Sequence, residues 1–114
     1  GKGVDIVLAD PEVIEAESAS FDIVLSANAI EHTRRPWLVV TEMARILKPR
    51  GKMFVMAPCR HVYHAYPIDC WRIYAEGMRA LLETAGLRVI EVRDDSHEEH
   101  KRPGGDTVGI AVKP

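Results

Sequence analysis

The segment running from Phe21 to Gly51 constrains this chain more than any other part of it. Phe21-Asp22-Ile23-Val24-Leu25-Ser26 is an apolar run that breaks at Ala27-Asn28-Ala29-Ile30-Glu31-His32, where polar and titratable side chains enter. Pro36 suits a first helical position, and Trp37, Val40, Ala44 and Leu47 follow at spacings of three and four, which predicts a helix with one apolar stripe. Lys48-Pro49-Arg50-Gly51 stops that helix with basic charge at the negative end of its dipole, and Lys52 to Ala57 resumes as a strand closed by Pro58. Strand, helix and strand in that order form a parallel pair with a right-handed crossover. In such sheets ligands sit beyond the carboxyl ends of the strands, so the turn carrying Asn28, Glu31 and His32 is the place to look for function.

The flanking segments extend the pattern. Val4 to Ala9 is a short β-branched run ended by Asp10-Pro11, and Pro11 keeps Asp10 out of helical geometry, so a strand is expected to stop at an acidic corner. Glu12 to Ser20 reads as a connecting loop. The strands at Val4 to Ala9 and Asp22 to Ser26 lack clean alternation, the pattern of strands covered on both faces by helices. Tyr74, Met78, Leu81, Leu82 and Ala85 mark a second amphipathic helix, with Gly86 where a left-handed cap is wanted. Leu87 to Arg93 and Thr107 to Val112 are further strands, joined by the charged loop Asp94 to Asp106, and with no helix between them they pair antiparallel or lie apart. The expectation is one α/β domain over residues 1–114, its sheet mostly parallel with an antiparallel terminal strand.

Composition narrows the partners. A net charge of -2 gives no general attraction to nucleic acid or anionic membranes, and no apolar run approaches the roughly 20 residues that span a bilayer. Two cysteines are too few for a disulfide scaffold, and the amino terminus shows no signal core, so a cytoplasmic protein with reduced thiols is expected. The chain starts Gly1-Lys2-Gly3 without a Met, and an excised or partial piece of something longer is one expectation.

Several residues invite chemistry. Asp10 either accepts hydrogen bonds from an adenine amino group or solvates a turn before proline. Glu31 and His32 either serve the site or brace the next helix, with Thr33 as its cap, and an imidazole is a candidate general base near neutral pH. The long loop from Pro58 to Tyr74 brings His61, Tyr63, His64, Tyr66, Asp69, Trp71 and Arg72 to the same strand-end edge. The plain alternative is an Asp69 to Arg72 ion pair that anchors the loop while Trp71 fills core. Cys59, His61, His64 and Cys70 are all possible zinc ligands, but they crowd beside prolines instead of forming two separated pairs, and no metal is expected from them. His97 and His100 lie in a charged loop and read as solvated. No phosphate-cradling glycine motif or nucleophile elbow occurs, which removes nucleotide triphosphatase and hydrolase readings.

Phe21 to His32, with Leu47-Lys48-Pro49-Arg50-Gly51, resembles the wording "FDVVLSxxVLEHxxDPxxxLxExxRxLKPGG" of class I S-adenosylmethionine-dependent methyltransferases. Tyr66, Pro67, Asp69, Trp71, Arg72, Glu76 and Gly77 are similar to a "YPxDxWRxxxEG" run in one branch of that family. The resemblance implies a Rossmann-like sheet and S-adenosylmethionine as cofactor, with Asp10 on the adenine and Ser26, Ala27 and Asn28 against the methionine portion. It also implies that Ile30 covers the ring system and that Tyr63, Tyr66, Asp69, Trp71 and Arg72 form a substrate-side lid for a small-molecule acceptor. His32, His61 or His64 is then the candidate for taking the acceptor's proton. The glycine-rich cofactor loop of the family is missing from residues 1–114, so a carboxyl-terminal portion is implied, incomplete at its amino-terminal side. Loss of the strand between those at Val4 and Asp22 predicts either that the two pair directly or that two chains associate as a homodimer across the vacancy. A non-catalytic partner-binding module is the alternative reading.

Overall fold

The structure, a computed structural model, describes residues 3–95 and 104–114. In chain order it contains strand β1 (Phe21–Ala27), a short 3-10 turn (Ile30–His32), helix α1 (Pro36–Ile46), strand β2 (Leu47–Arg60), helix α2 (Ala75–Thr84), strand β3 (Arg88–Asp94) and strand β4 (Gly105–Val112). The sheet order is β1-β2-β4-β3, with β1 parallel to β2 and β4 antiparallel to both β2 and β3. Three strands therefore point one way and β4 alone opposes them. The antiparallel strand is last in the chain but lies between β2 and β3, not at the rim of the sheet.

The apolar stripes act as expected. Val40, Met43 and Ala44 of α1 and Met78 and Leu82 of α2 are buried against Met53, Val55 and Ala57 of β2 and Ala111 of β4. Gly109 of β4 is the close-approach point: a Cβ there would stand 2.7 Å from Met78 Cγ and 2.8 Å from Leu82 Cδ1. Gly86 takes φ +84 after α2, the left-handed geometry that ends helices. Lys113 Nζ donates to the carbonyls of Ala44 and Leu47, placing a cation on the negative end of α1 and docking the end of the chain.

Two expectations fail. Val4 to Ala9 forms no strand, and β1 pairs only with β2 among the described residues, so the direct pairing of those two segments does not occur. An extended segment needs a ladder partner to satisfy its backbone, and none is placed beside it. Among the described residues the sheet is also covered on one face only. Ile23 pairs across to Lys52, and Leu25 to Phe54, which in turn faces Ile110, so these side chains share the face away from the buried row. There Ile23 and Leu25 are 62% and 72% exposed.

Without a ladder, residues 12–20 are held by α1. Arg45 donates to the carbonyls of Ile14 and Ala16 and to Ser18 Oγ, while Ile14 N–H donates to Glu42. The Arg45 guanidinium in turn holds the Glu42 carboxyl below the usual carboxylate range.

Candidate functional site

The corner after β1 is built by Asn28, which adopts φ +53. Asparagine tolerates this left-handed geometry better than other residues with a Cβ, apart from aspartate. Its N–H still reaches the Met56 carbonyl at 2.9 Å, so the strand ladder runs up to the turn and then stops. The 3-10 turn follows, closed by Thr33, whose hydroxyl donates to the Ile30 carbonyl. Thr33 thus closes that turn and does not cap α1, whose N-cap is Arg35 without a side-chain hydrogen bond.

Asp10 and His32 line one cleft of about 510 Å³, with Glu12, Arg35 and Ile68 among its other walls. Asp10 Oδ1 accepts the Glu12 N–H at 2.8 Å, the local turn bond expected before and after proline, and the carboxylate itself is exposed. Arg35 Nε donates to Glu12 at 2.8 Å and fixes that wall.

The loop after β2 docks by its backbone on Glu31, whose carbonyl accepts from Cys70 N–H at 2.8 Å and Trp71 N–H at 3.2 Å. Arg72 grips Asp69 with two nitrogens at 2.8 and 2.9 Å, and His64 N–H donates to the same carboxylate. The guanidinium, then the His64 N–H, hold Asp69 well below the usual carboxylate range. The loop-anchoring ion pair is therefore present. Trp71 does not fill core: it is 39% exposed, lies edge-on to Trp37, and donates its indole N–H to the Thr33 carbonyl. That bond ties Thr33, a lining residue of the Asp10 cleft, to Trp71, which lines a second cleft of about 740 Å³ together with Trp37, Cys59, Arg72, Tyr74 and Glu76 among others.

The remaining expected site residues fall as follows. Ser26, Ala27 and Asn28 stand at the carboxyl end of β1 but outside the lining of either cleft. Ile30 is completely buried in the core and offers no surface to a ligand. Tyr63 and Tyr66 project into solvent. His61 and His64 sit with ring centroids 5.5 Å apart, and His64 meets His32 at 4.8 Å, so the three candidate imidazoles form a row. Cys59 donates its thiol toward Asp95, and burial followed by that carboxylate pushes its pKa up. Among the described residues Cys59, His61, His64 and Cys70 do not gather around a common point; the one group with metal-ligand geometry is Glu31, His32 and His64. His97 and His100 lie outside the described residues.

Glu31, which the sequence left between serving the site and bracing the next helix, is fully buried and lies against His32 and His64. Its adjacency to His32 was the available signal, but the approach of His64 depends on loop docking that no local pattern encodes. Arg35, Glu12 and Trp37 likewise enter the clefts through contacts distant in sequence.

Residues 1–55 match the family described as Methyltransferase domain. The ubiquinone biosynthesis O-methyltransferase of Parvibaculum lavamentivorans is 32% identical over 69 residues, a match covering 60% of this chain and 27% of that protein. Among solved structures, the cyclase SpnF superimposes with a TM-score of 0.73 at 17% identity, covering 95% of this chain and 55% of that one. The phosphoethanolamine N-methyltransferase 2 of Haemonchus contortus, solved in complex with S-adenosyl-L-methionine, gives 0.68 at 17% identity over 92% of this chain and 36% of the other. The chain spans about half or less of the length of each of these proteins. At such identities the solved structures speak for the fold, and a cyclase among them shows that this fold carries more than one chemistry.

Proposed function

We propose, from the match of residues 1–55 to the methyltransferase domain family and from a fold shared with S-adenosylmethionine-dependent methyltransferases, that this chain takes part in methyl transfer to a small-molecule acceptor, within a longer or associated protein. The observation that carries the reading is the cleft that Asp10 shares with His32 at the carboxyl end of the sheet. Its volume of about 510 Å³ lies in the range of small-ligand pockets. Asp10 presents an exposed carboxylate to it, an acceptor suited to an adenine amino group. Ser26, Ala27 and Asn28 are the strand-end residues for the methionine portion, while no segment of residues 1–114 supplies a glycine-rich loop. The exposed Asp10 carboxylate suits the adenosyl end, and in this reading a segment of the longer or associated protein completes the other end.

Bound there, the cofactor supplies an electrophilic methyl on a sulfonium. The chain's own part is to orient and to exclude water, since aligning two reactants supplies much of the advantage in such displacements. Trp71 and Arg72 line the larger cleft and suit it to an acceptor, with Tyr63 and Tyr66 as exposed aromatic faces at the loop that favour positive charge. Asp69 acts by fixing Arg72. Of the three candidate imidazoles, His32 lines the Asp10 cleft, while His61 is exposed with ring nitrogens that make no hydrogen bond among the described residues, which supports it as the one that takes a proton from a hydroxyl or amine. The two unpaired thiols, Cys59 and Cys70, fit a cytoplasmic setting.

The uncovered apolar face of the sheet favours a second reading, a methyltransferase-like module that associates with a second copy or a partner and does not catalyse. Calorimetric titration with S-adenosylmethionine and S-adenosylhomocysteine separates the two. Saturable heat with either ligand supports methyl transfer. No heat, together with a stable dimer on a sizing column, overturns it and supports the module.

A further inference from the structure

Glu31 is fully buried, and neither of its carboxylate oxygens has a hydrogen-bond partner among the described residues. A buried carboxylate left without donors is costly, so something should answer it. The polar atoms turned toward it are His32 Nε2 at 3.6 Å and His64 Nε2 at 3.9 Å. Both rings are committed at their other nitrogen. His32 Nδ1 lies 2.6 Å from the Ile68 carbonyl, and His64 Nδ1 lies 3.0 Å from the Val62 carbonyl and 3.5 Å from Asp69. A carbonyl oxygen only accepts, so each Nδ1 carries a hydrogen, the tautomer whose Nε2 offers a lone pair inward. Three acceptors then converge within 4.8 Å of one another with no donor between them. The Arg72 guanidinium does not resolve this, because it is committed to Asp69.

We propose that Glu31, His32 and His64 hold a divalent first-row transition-metal ion of the zinc type, through two imidazole nitrogens and one carboxylate oxygen. Backbone carbonyls that fix the far nitrogen of each ring are the usual outer support of metal-bound histidines. Zinc bonds of about 2.0–2.1 Å in a tetrahedron put neighbouring ligand atoms about 3.4 Å apart, so no pair of them needs to close by more than about 1.4 Å. The scaffold is already in place, since the loop bearing His64 docks on the Glu31 carbonyl through Cys70 and Trp71. His32 and His64 are 18% and 31% exposed at their side chains, so a fourth position stays open to water or a small ligand. The assignment stands on this geometry alone and is independent of the methyl-transfer reading.

The test is to strip the full chain with a chelator and titrate it with Co²⁺, following visible absorbance, and then with Zn²⁺ by equilibrium dialysis. One ion per chain is expected, with an intensified low-coordinate Co²⁺ spectrum that Zn²⁺ displaces. His64→Ala and Glu31→Gln are each expected to weaken binding by about 10-fold or more, while His61→Ala leaves it unchanged. His64 is only part-buried, so its variant decides the matter if Glu31→Gln fails to fold. Absence of stoichiometric binding by the parent chain would overturn the proposal, as would affinity unchanged in His64→Ala or abolished in His61→Ala.

Discussion

On the face of the sheet turned to α1 and α2, Met53, Val55, Ala57 and Ala111 are buried, whereas on the opposite face Ile23 and Leu25 are exposed although they are no less apolar. Both rows belong to the same sheet, where Val24 pairs with Met53 on the covered face and Ile23 and Leu25 flank it one residue out of step. The difference lies in what is laid against them: two helices on one side and no described element on the other. It teaches that a continuous apolar strand reports the capacity to be covered, and that coverage is decided by layers elsewhere in the molecule or its partners. The same contrast separates the two halves of the candidate site. The loop bearing Trp71 and Arg72 is anchored by an ion pair and backbone bonds, while the Asp10 corner hangs on Arg45 and Arg35 in place of a strand ladder.

The strongest way to sharpen this comparison is Leu82→Ala on the covered face, which should cost about 2–5 kcal/mol through lost burial and the cavity left behind. Urea unfolding of the two proteins reads it directly. Gly109→Val should cost about 1–3 kcal/mol by forcing α2 off β4, where no room exists for a Cβ. Arg45→Ala removes the clamp on residues 14–18 and should lower the urea midpoint by less than either core change. Amide hydrogen exchange should show residues 12–20 opening in that variant while the Trp71 loop stays protected.

Acid tests the anchored loop. The folded Asp69 carboxyl titrates below its unfolded value of about 3.9, so the folded chain binds fewer protons there and the contribution is complete above that pH and falls away below it. Melting temperature should therefore drop as pH goes below about 4, and Asp69→Asn should lessen that drop. The smallest effect belongs to the open face, where Leu25→Ser should change monomer stability by no more than about 0.5 kcal/mol. A larger, concentration-dependent loss would break the comparison by showing that a second copy covers that face in solution.

The helices were legible in the sequence because each carries its own evidence: Val40 and Ala44 on one stripe, Met78 and Leu82 on the other, Pro36 at a start and Gly86 at an end. A connection read without a helix left β3 and β4 to pair antiparallel or lie apart, and they pair. Val4 to Ala9 has strand-like composition but no ladder, a property of neighbours that composition does not contain. Asp69 and Arg72 announced their ion pair by spacing. Arg45, Lys113 and the approach of His64 to Glu31 did not, since each acts on residues far along the chain. Ile30 shows the converse, an apolar residue beside a functional turn that belongs wholly to the core.

Nuclear magnetic resonance during titration with S-adenosylhomocysteine addresses the central claim most directly. Saturable shifts of the amides from Ala9 to Glu12 and from Ser26 to His32 are the predicted result. No shifts at all, or shifts confined to Ile23, Leu25 and Phe54 on the open face, would contradict an adenosyl site at the corner after β1.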